Sequence, residues 1–173
     1  MSIAMMEQKG LIHTLTSWAL LVYDIPAKER KKRYQFLKKA RALGALRFTE
    51  SCYMLPNTPE TYQEAEELAA LGEAYLWVSE VKDVAQALKV TQSFHASLGL
   101  RLAVIHNRIA RIASHLEAGR VFVAFRMAVR TAELLQRVRK LAKASGFEDL
   151  VPQVEATVET LKGMMEGKSG GEL

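Results

Sequence analysis

The uninterrupted apolar run SWALLVY, Ser17 to Tyr23, constrains the fold of this chain more than any other segment. A short apolar run without a charged residue is typical of a strand that is buried on both faces of a sheet. Asp24 and Pro26 follow directly and end the run. The sequence therefore predicts a sheet in which this strand is central.

Helix and strand signals alternate in a definite order after this strand. Pro26 suits the first turn of a helix, where its missing N–H is not needed, and Gly44 ends that helix. Residues 45–55 are strand-like on both sides of a central polar pair, Thr49-Glu50, which predicts a tight hairpin or a bulged bend. Thr58 caps a second helix, and residues 73–79 form a last strand. The order β-α-β-β-α-β predicts an α+β protein with a ferredoxin-like domain, in which two helices cover one face of the sheet.

The rest of the chain has helical periodicity. Apolar residues at spacings of three and four predict three helices between residue 81 and Gly146, with breaks near Gly99 and Gly119. From Phe147 to Met165 the apolar residues step by four and three, which is a heptad seam. The last helix is therefore expected to pack along another helix. A bundle within the chain is preferred to a dimer seam, because helical hairpins are common.

These signals divide the chain into four parts. Residues 1–16 are interpreted as an N-terminal arm, residues 17–80 as the ferredoxin-like domain, residues 81–166 as a helical region and residues 167–173 as a disordered tail. No apolar run is long enough to cross a bilayer, and no signal peptide is recognisable. The single cysteine, Cys52, fits a reducing compartment, so a cytoplasmic location is predicted.

Positive charge is concentrated in two regions, although the net charge of the chain is only +5. Residues 28–41 hold eight lysines and arginines against one glutamate, and residues 101–143 form a second basic region. Like charges at helical spacing repel each other, so the clusters favour an anionic partner, most simply a phosphate backbone. The alternative is a solvated face that pairs with the acidic residues 60–83. The predicted phosphate-binding residues are Lys28, Arg30, Lys31, Lys32, Lys38, Arg101, Arg108, Arg126, Arg130 and Arg137.

Several short segments carry a family resemblance. Trp18, the Leu-Gly-Ala turn at residues 43–45, the sequence YMLP at residues 53–56 and the Gly-Glu-Ala sequence at residues 72–74 resemble the N-terminal domain of the chromate-resistance regulator B family. The resemblance covers residues 17–80. It implies a ferredoxin-like fold followed by helices, in a regulatory protein that does not act as an enzyme.

The same stretch is similar to the small subunit of the CRISPR spacer-integration complex. Tyr23-Asp24-Ile25, the basic helix, the turn at Gly44 and Ser51-Cys52-Tyr53 carry this likeness. In that family the aspartate closing the first strand lies near the two-fold axis of a dimer and is assigned to divalent-metal binding and phosphodiester cleavage. The C-terminal domain of the phenylacetate-type repressors, a regulatory dimerisation module, is a third relative. The three resemblances agree on fold and dimerisation and differ in chemistry.

Asp24 is the candidate for catalysis and for metal binding. A carboxylate at the carboxyl end of a strand, facing its symmetry mate, is able to hold one Mg²⁺ with water and phosphate oxygens. No second acid lies nearby at a metal-ligand spacing. The alternative is an Asx-turn or cap that joins the strand to the next helix, and a lone acid favours this interpretation.

Other reactive or aromatic side chains give weaker signals. Strand alternation puts Ser51 and Cys52 on opposite faces, and a lone cysteine is more often a core thiol than a nucleophile. Tyr34, Tyr53 and Trp77 are able to stack on bases, but core packing is the simpler explanation.

The hypothesis that follows is a cytoplasmic, non-catalytic homodimer that binds nucleic acid or regulates transcription and needs no cofactor. The dimer is expected to form through the sheet face that its own helices leave open. One alternative is a Mg²⁺-dependent endonuclease that uses Asp24. Another is an adaptor whose C-terminal helices bind a protein partner.

Overall fold

The computed structural model describes residues 15–70 and 74–166. Most of the predicted N-terminal arm, the start of the Gly-Glu-Ala sequence at residues 72–74 and the predicted tail at residues 167–173 lie outside these described residues. Contacts between Cα atoms divide the chain into two units, and the second unit begins at Ala96.

The sheet of the first unit has the predicted topology. Its strands lie in the order β2-β3-β1-β4, and every neighbouring pair is antiparallel. The prediction of an α+β fold with a central first strand is therefore confirmed. The elements up to the end of the sheet are β1 Ser17–Tyr23, α1 Arg30–Ala42, β2 Leu46–Arg47, β3 Cys52–Pro56, α2 Pro59–Ala70 and β4 Ala74–Glu80.

The face of the sheet that α1 and α2 cover forms the core of this unit. Leu21 is fully buried, and the Tyr23 ring lies 5.1 Å from the ring of Phe36 on α1. Ala65 and Leu68 of α2 are also buried. Burial of one large apolar side chain stabilises a fold by about 1.5–3 kcal/mol, so this face holds the helices on the sheet.

Three helices remain, and they make up the rest of the described chain: α3 Val84–Glu117, α4 Val121–Ala144 and α5 Leu150–Glu166. The predicted break near Gly99 is wrong, because α3 continues through this residue. A glycine inside a helix costs only about 1 kcal/mol, which the buried residues on either side, Leu98 and Leu102, offset. In the second unit, Ile112 of α3 belongs to one buried cluster with residues of α4 and α5. The preferred interpretation, a helical bundle within the chain, is confirmed.

The second face of the sheet is only partly covered. At one end, the first turns of α3 pack on Trp18, which is fully buried. Next to it on β1, Leu20 and Val22 are half-buried. They are paired with Trp77 and Tyr75 of β4, whose side chains are 62% and 64% exposed. We call these four residues, Leu20, Val22, Tyr75 and Trp77, the open face.

The start of α1 differs from the prediction. Pro26 does not lie in the first turn of the helix, because α1 begins at Arg30. Instead, the carbonyl of Pro26 accepts a hydrogen bond of 2.9 Å from the N–H of Glu29, which closes a turn before the helix. Proline is most common at the second position of such turns. It is also tolerated at the first position, because the first residue of the turn contributes its carbonyl and not its N–H.

Glycines end the helices as the sequence predicts. Gly44 has a φ of 86°, and the N–H groups of Gly44 and Ala45 donate to the carbonyls of Arg41 and Ala40. This pair of hydrogen bonds is a Schellman motif, which requires a left-handed residue. Gly119 and Gly146, at φ 70° and 66°, follow α3 and α4.

The predicted hairpin and second cap are also present. The N–H groups of Phe48 and Thr49 donate to the carbonyl of Cys52, which joins β2 to β3. The Thr58 hydroxyl accepts a hydrogen bond of 3.3 Å from the N–H of Thr61 at the start of α2. No helix within residues 15–70 and 74–166 is long and apolar enough to span a membrane.

Candidate nucleic-acid interface

The basic residues around the start of α1 form a shallow concave surface. Lys28, Arg30 and Lys31 are exposed, and Lys32 is half-buried beside them. Lys32 lies 3.6 Å from the carboxylate of Glu29. Lys28, Arg30 and Lys31 form no ion pair with any described carboxylate, so three positive charges on this surface are not neutralised locally.

The position of this surface on the helix adds to its positive potential. The first turn of α1 contains no acidic residue. The N-terminal end of a helix carries a partial positive charge, which normally favours acidic side chains. Here Lys28, Arg30 and Lys31 lie at that end beside one acid, Glu29 at the cap position, so a bound anion would relieve the repulsion among them. Lys38 is exposed two turns further along α1 and extends the positive surface.

One arginine of the cluster has a structural role. The guanidinium of Arg33 lies 5.6 Å from the centre of the Tyr23 ring and donates a hydrogen bond of 3.5 Å to the Tyr23 hydroxyl. The Tyr23 hydroxyl in turn donates to the carbonyl of Glu50 at 2.5 Å. Arg33 therefore fixes α1 against the end of β1, whereas Arg30 and Lys31 remain exposed.

The predicted arginines of the helical region fall into two environments. Arg126 and Arg130 of α4 are exposed and form no ion pair with a described residue. Arg108 of α3 is half-buried. Arg101 and Arg137 are also half-buried, and they lie close enough to interact: burial, and then the charge of Arg137, lower the pKa of Arg101. Arg126 and Arg130 are therefore the better placed to meet a phosphate.

Asp24 lies directly after β1 and is exposed. It does not cap α1, since the residue at that cap position is Glu29. No hydrogen bond or ion pair joins the Asp24 carboxylate to another described residue, so the Asx-turn alternative finds no support. Within the described ranges, no group of three or more histidines, cysteines and acids is placed to hold a metal ion.

Ser51 and Cys52 differ in exposure, and Ser51 lies just before β3, so the predicted alternation between faces stays a prediction. Ser51 is exposed, and its carbonyl accepts a hydrogen bond of 3.0 Å from the N–H of Tyr23. Cys52 is buried, and this burial raises the pKa of its thiol. A thiol that keeps its proton is a poor nucleophile, so Cys52 behaves as a core residue.

Core packing explains only one of the three aromatic candidates. Tyr53 is 2% exposed, as expected for a core residue. Tyr34 and Trp77 are 66% and 62% exposed, so the core interpretation of these two is wrong. Sequence reasoning also missed Tyr75, which shares the open face with Trp77. The signal was the alternation of aromatic residues within the strand AYLWVSE.

Comparison with known proteins gives one match. Residues 15–89 match the family described as the PaaX protein central Cas2-like domain. The match includes the whole sheet, α1, α2 and the start of α3, but less than half of the chain. No curated protein and no solved structure shows a significant match.

This match supports two of the three resemblances. Its description agrees with a relationship to PaaX-type repressors and to Cas2-like proteins, although the matching part is the central domain of PaaX and not the expected C-terminal one. The resemblance to the chromate-resistance regulator B family gains no support from it and stays a prediction. The match suggests a role of the regulator or Cas2-like type and assigns none to a particular residue.

Proposed function

We propose that this chain is a non-catalytic, dimeric protein that binds nucleic acid and acts in the regulation of transcription. The observation that carries the proposal is the positive surface at the start of α1. There, Lys28, Arg30 and Lys31 are exposed, without an ion pair to a described carboxylate, at the positive end of a helix. Phosphate is the anion that such a surface suits best. The PaaX match, which includes α1, is consistent with this function.

The open face supports the dimeric part of the proposal. Trp77 and Tyr75 are large side chains that expose most of their surface beside the half-buried Leu20 and Val22. Aromatic side chains are enriched at the centres of protein interfaces. A second copy of the chain, packed on the same face, would bury all four residues with two-fold symmetry.

The experiment that tests nucleic-acid binding is a salt titration. Fluorescence anisotropy of a labelled DNA duplex is measured with the full chain from about 50 mM to 300 mM salt. The logarithm of the affinity should fall with the logarithm of the salt concentration, with a slope of about −0.9 for each phosphate contact. The variant Lys31→Gln, Lys32→Gln, Lys38→Gln should make this slope shallower.

A matched control removes the same number of positive charges, three, from positions outside the α1 cluster. Lys82, Lys89 and Lys162 are exposed and lie outside the α1 cluster, so replacing them with glutamine should leave the slope largely unchanged. If only Arg108, Arg126 and Arg130 prove sensitive, the helical region and not α1 is the binding surface. Absence of binding in about 50 mM salt would refute the proposal.

The second candidate function is a Mg²⁺-dependent endonuclease. The observation in its favour is Asp24, an exposed carboxylate after the central strand with no partner among the described residues. Such a carboxylate is free to bind a divalent cation, but one per chain would need a second copy to complete a site.

A further inference from the structure

An apolar groove of about 340 Å³ lies between α4 and α5. It occupies the ends of the two helices that are far from their connection. Closer to that connection, the guanidinium of Arg139 lies 2.7 Å from the carboxylate of Glu155 and joins the helices. Two small residues, Ala128 and Ala132, line the α4 side, and Met165 lines the α5 side.

The groove follows the axis of α4. Its lining positions on this helix extend from Phe125 to Gln136 at spacings of three and four residues, which corresponds to a length of about 16 Å. The apolar surface also continues past the groove, because Phe122 is 73% exposed and Val121 is 53% exposed. A long apolar stripe of this kind suits the side chains of another helix at positions i, i+3, i+4 and i+7.

Charge indicates which kind of helix fits. The sequence of α4 contains six lysines and arginines and one acid, Glu133. Arg126 and Arg130 follow the lining residues Phe125 and Val129 directly and make no ion pair with a described residue. The guanidinium of Arg126 lies 5.9 Å from the centre of the Phe122 ring, beside the apolar stripe. An acidic partner would therefore gain favourable contacts along this side of the groove.

The α5 side is different. There Lys162 already pairs with Glu159 at 2.9 Å, and Glu166 adds a negative charge. Acidic residues of a partner are consequently favoured beside α4 and disfavoured beside α5. A second copy that placed its own α4 in the groove would bring Arg126 and Arg130 close to their symmetry mates, which is unfavourable.

We propose that the α4–α5 groove binds the apolar face of an amphipathic helix from another protein, with aspartates or glutamates along its α4 side. This interaction is separable from phosphate binding at α1, because it uses the apolar groove and not the surface of α1. It shares Arg126 and Arg130 with the phosphate-binding residues predicted for the helical region, so an acidic helix and a phosphate would compete for these two side chains. It gives the helical region a role as the site where a protein partner is recruited.

Two synthetic helical peptides provide the test. Both carry leucines at positions i, i+3, i+4 and i+7 and a fluorescent label; one has glutamates along one side of the leucines, and the other has lysines at the same positions. Binding to the full chain is measured by anisotropy without nucleic acid. The glutamate peptide should bind at least about threefold more tightly, as expected for two exposed ion pairs.

Variants locate the binding site. Ala132→Gln fills the groove from an exposed helical position and should weaken binding of the glutamate peptide by about tenfold. Val123→Gln, a change at an exposed position of α4 outside the groove, should have little effect. Arg126→Gln with Arg130→Gln should remove the preference for the glutamate peptide. The α1 triple lysine variant should bind the peptide as the unaltered chain does, which separates this proposal from the DNA-binding one.

Three results would overturn the proposal. The first is that neither peptide binds or that both bind equally. The second is that Ala132→Gln has no larger effect than Val123→Gln. The third is that Ala132→Gln converts a dimer into a monomer in sedimentation, which would identify a second copy of the chain as the occupant of the groove.

Discussion

The indole of Trp18 and the ring of Phe94 meet edge to face, with ring centroids 5.6 Å apart and planes at 75°. Both side chains are fully buried. An aromatic pair in this geometry contributes about 0.5–1.5 kcal/mol beyond the burial of its surface. Because Trp18 belongs to β1 and Phe94 to α3, the pair fixes the start of the long helix on the sheet.

Replacing Phe94 by alanine should lower the free energy of unfolding by about 3–5 kcal/mol, because it leaves a cavity beside Trp18. Urea denaturation followed by tryptophan fluorescence measures this change. Phe122→Ala is the matched control, since Phe122 is 73% exposed and its loss should cost less than about 0.5 kcal/mol. Equal effects of the two changes would show that Phe94 does not pack on Trp18.

Gly99→Ala should raise the free energy of unfolding by about 0.5–1 kcal/mol. Gly99 lies inside α3, and a Cβ atom added there would meet nothing within 4 Å. Gly119 has equally open surroundings but a φ of +70°, so Gly119→Ala should destabilise the protein. Thermal and urea unfolding of both variants distinguish the two cases, and a loss of stability on Gly99→Ala would contradict an unbroken α3.

Trp77→Gln should shift the association equilibrium towards the monomer, because it removes the largest exposed side chain of the open face. Sedimentation equilibrium at micromolar concentrations measures the effect. Tyr34→Gln is the control, as Tyr34 is similarly exposed but lies on α1. An unaltered chain that is already monomeric would refute association through this face.

Asp24→Asn should leave stability and DNA binding nearly unchanged, because the carboxylate is exposed and makes no hydrogen bond to a described residue. Asp24→Ala should also change the free energy of unfolding by less than about 0.5 kcal/mol. Nuclease assays on DNA and RNA, with Mg²⁺, with Mn²⁺ and with a chelator, should show no cleavage above the Asp24→Asn background. Cleavage that both the chelator and Asp24→Asn abolish would instead favour the endonuclease.

Stability should fall more steeply at alkaline pH in the unaltered chain than in a Cys52→Ala variant. Burial raises the pKa of the Cys52 thiol above the ordinary value of 9.0. The folded protein therefore keeps a proton that the unfolded chain loses as the pH rises past 9.0, and unfolding becomes easier there. Below pH 9.0 both the folded and the unfolded chain hold the proton, so the contribution of Cys52 to the free energy of unfolding does not change with pH. Urea midpoints as a function of pH test this, and parallel curves for the two proteins would contradict it.

Local signals were sufficient for most of the fold. The run ending at Tyr23 gave the central strand, and the left-handed glycines at residues 44, 119 and 146 marked the helix ends. Pro26 and Gly99 were misinterpreted for opposite reasons. Proline is compatible both with a helix start and with the turn before it, whereas a glycine ends a helix only when tertiary packing does not hold the helix together.

The candidate site was less accessible to sequence reasoning. Charge clustering identified Arg126 and Arg101 alike, because a sequence does not show that one guanidinium is exposed and the other is half-buried beside Arg137. Aromatic residues such as Trp77 were assigned to the core because large side chains usually lie there. Trp77 remains exposed because it pairs with Leu20 on the face of the sheet that α1 and α2 do not cover, which the sequence alone does not show.

The two edges of the sheet are unequal, and this limits how the protein is able to polymerise. In the described residues β2 contributes only two residues at one edge, whereas β4 contributes seven at the other. Among the described strands, β4 is therefore long enough to pair with a strand from another molecule, whereas β2 is too short. Fibre growth by strand addition requires a long acceptor on both sides of every molecule, so pairing through β4 would end with two molecules joined edge to edge.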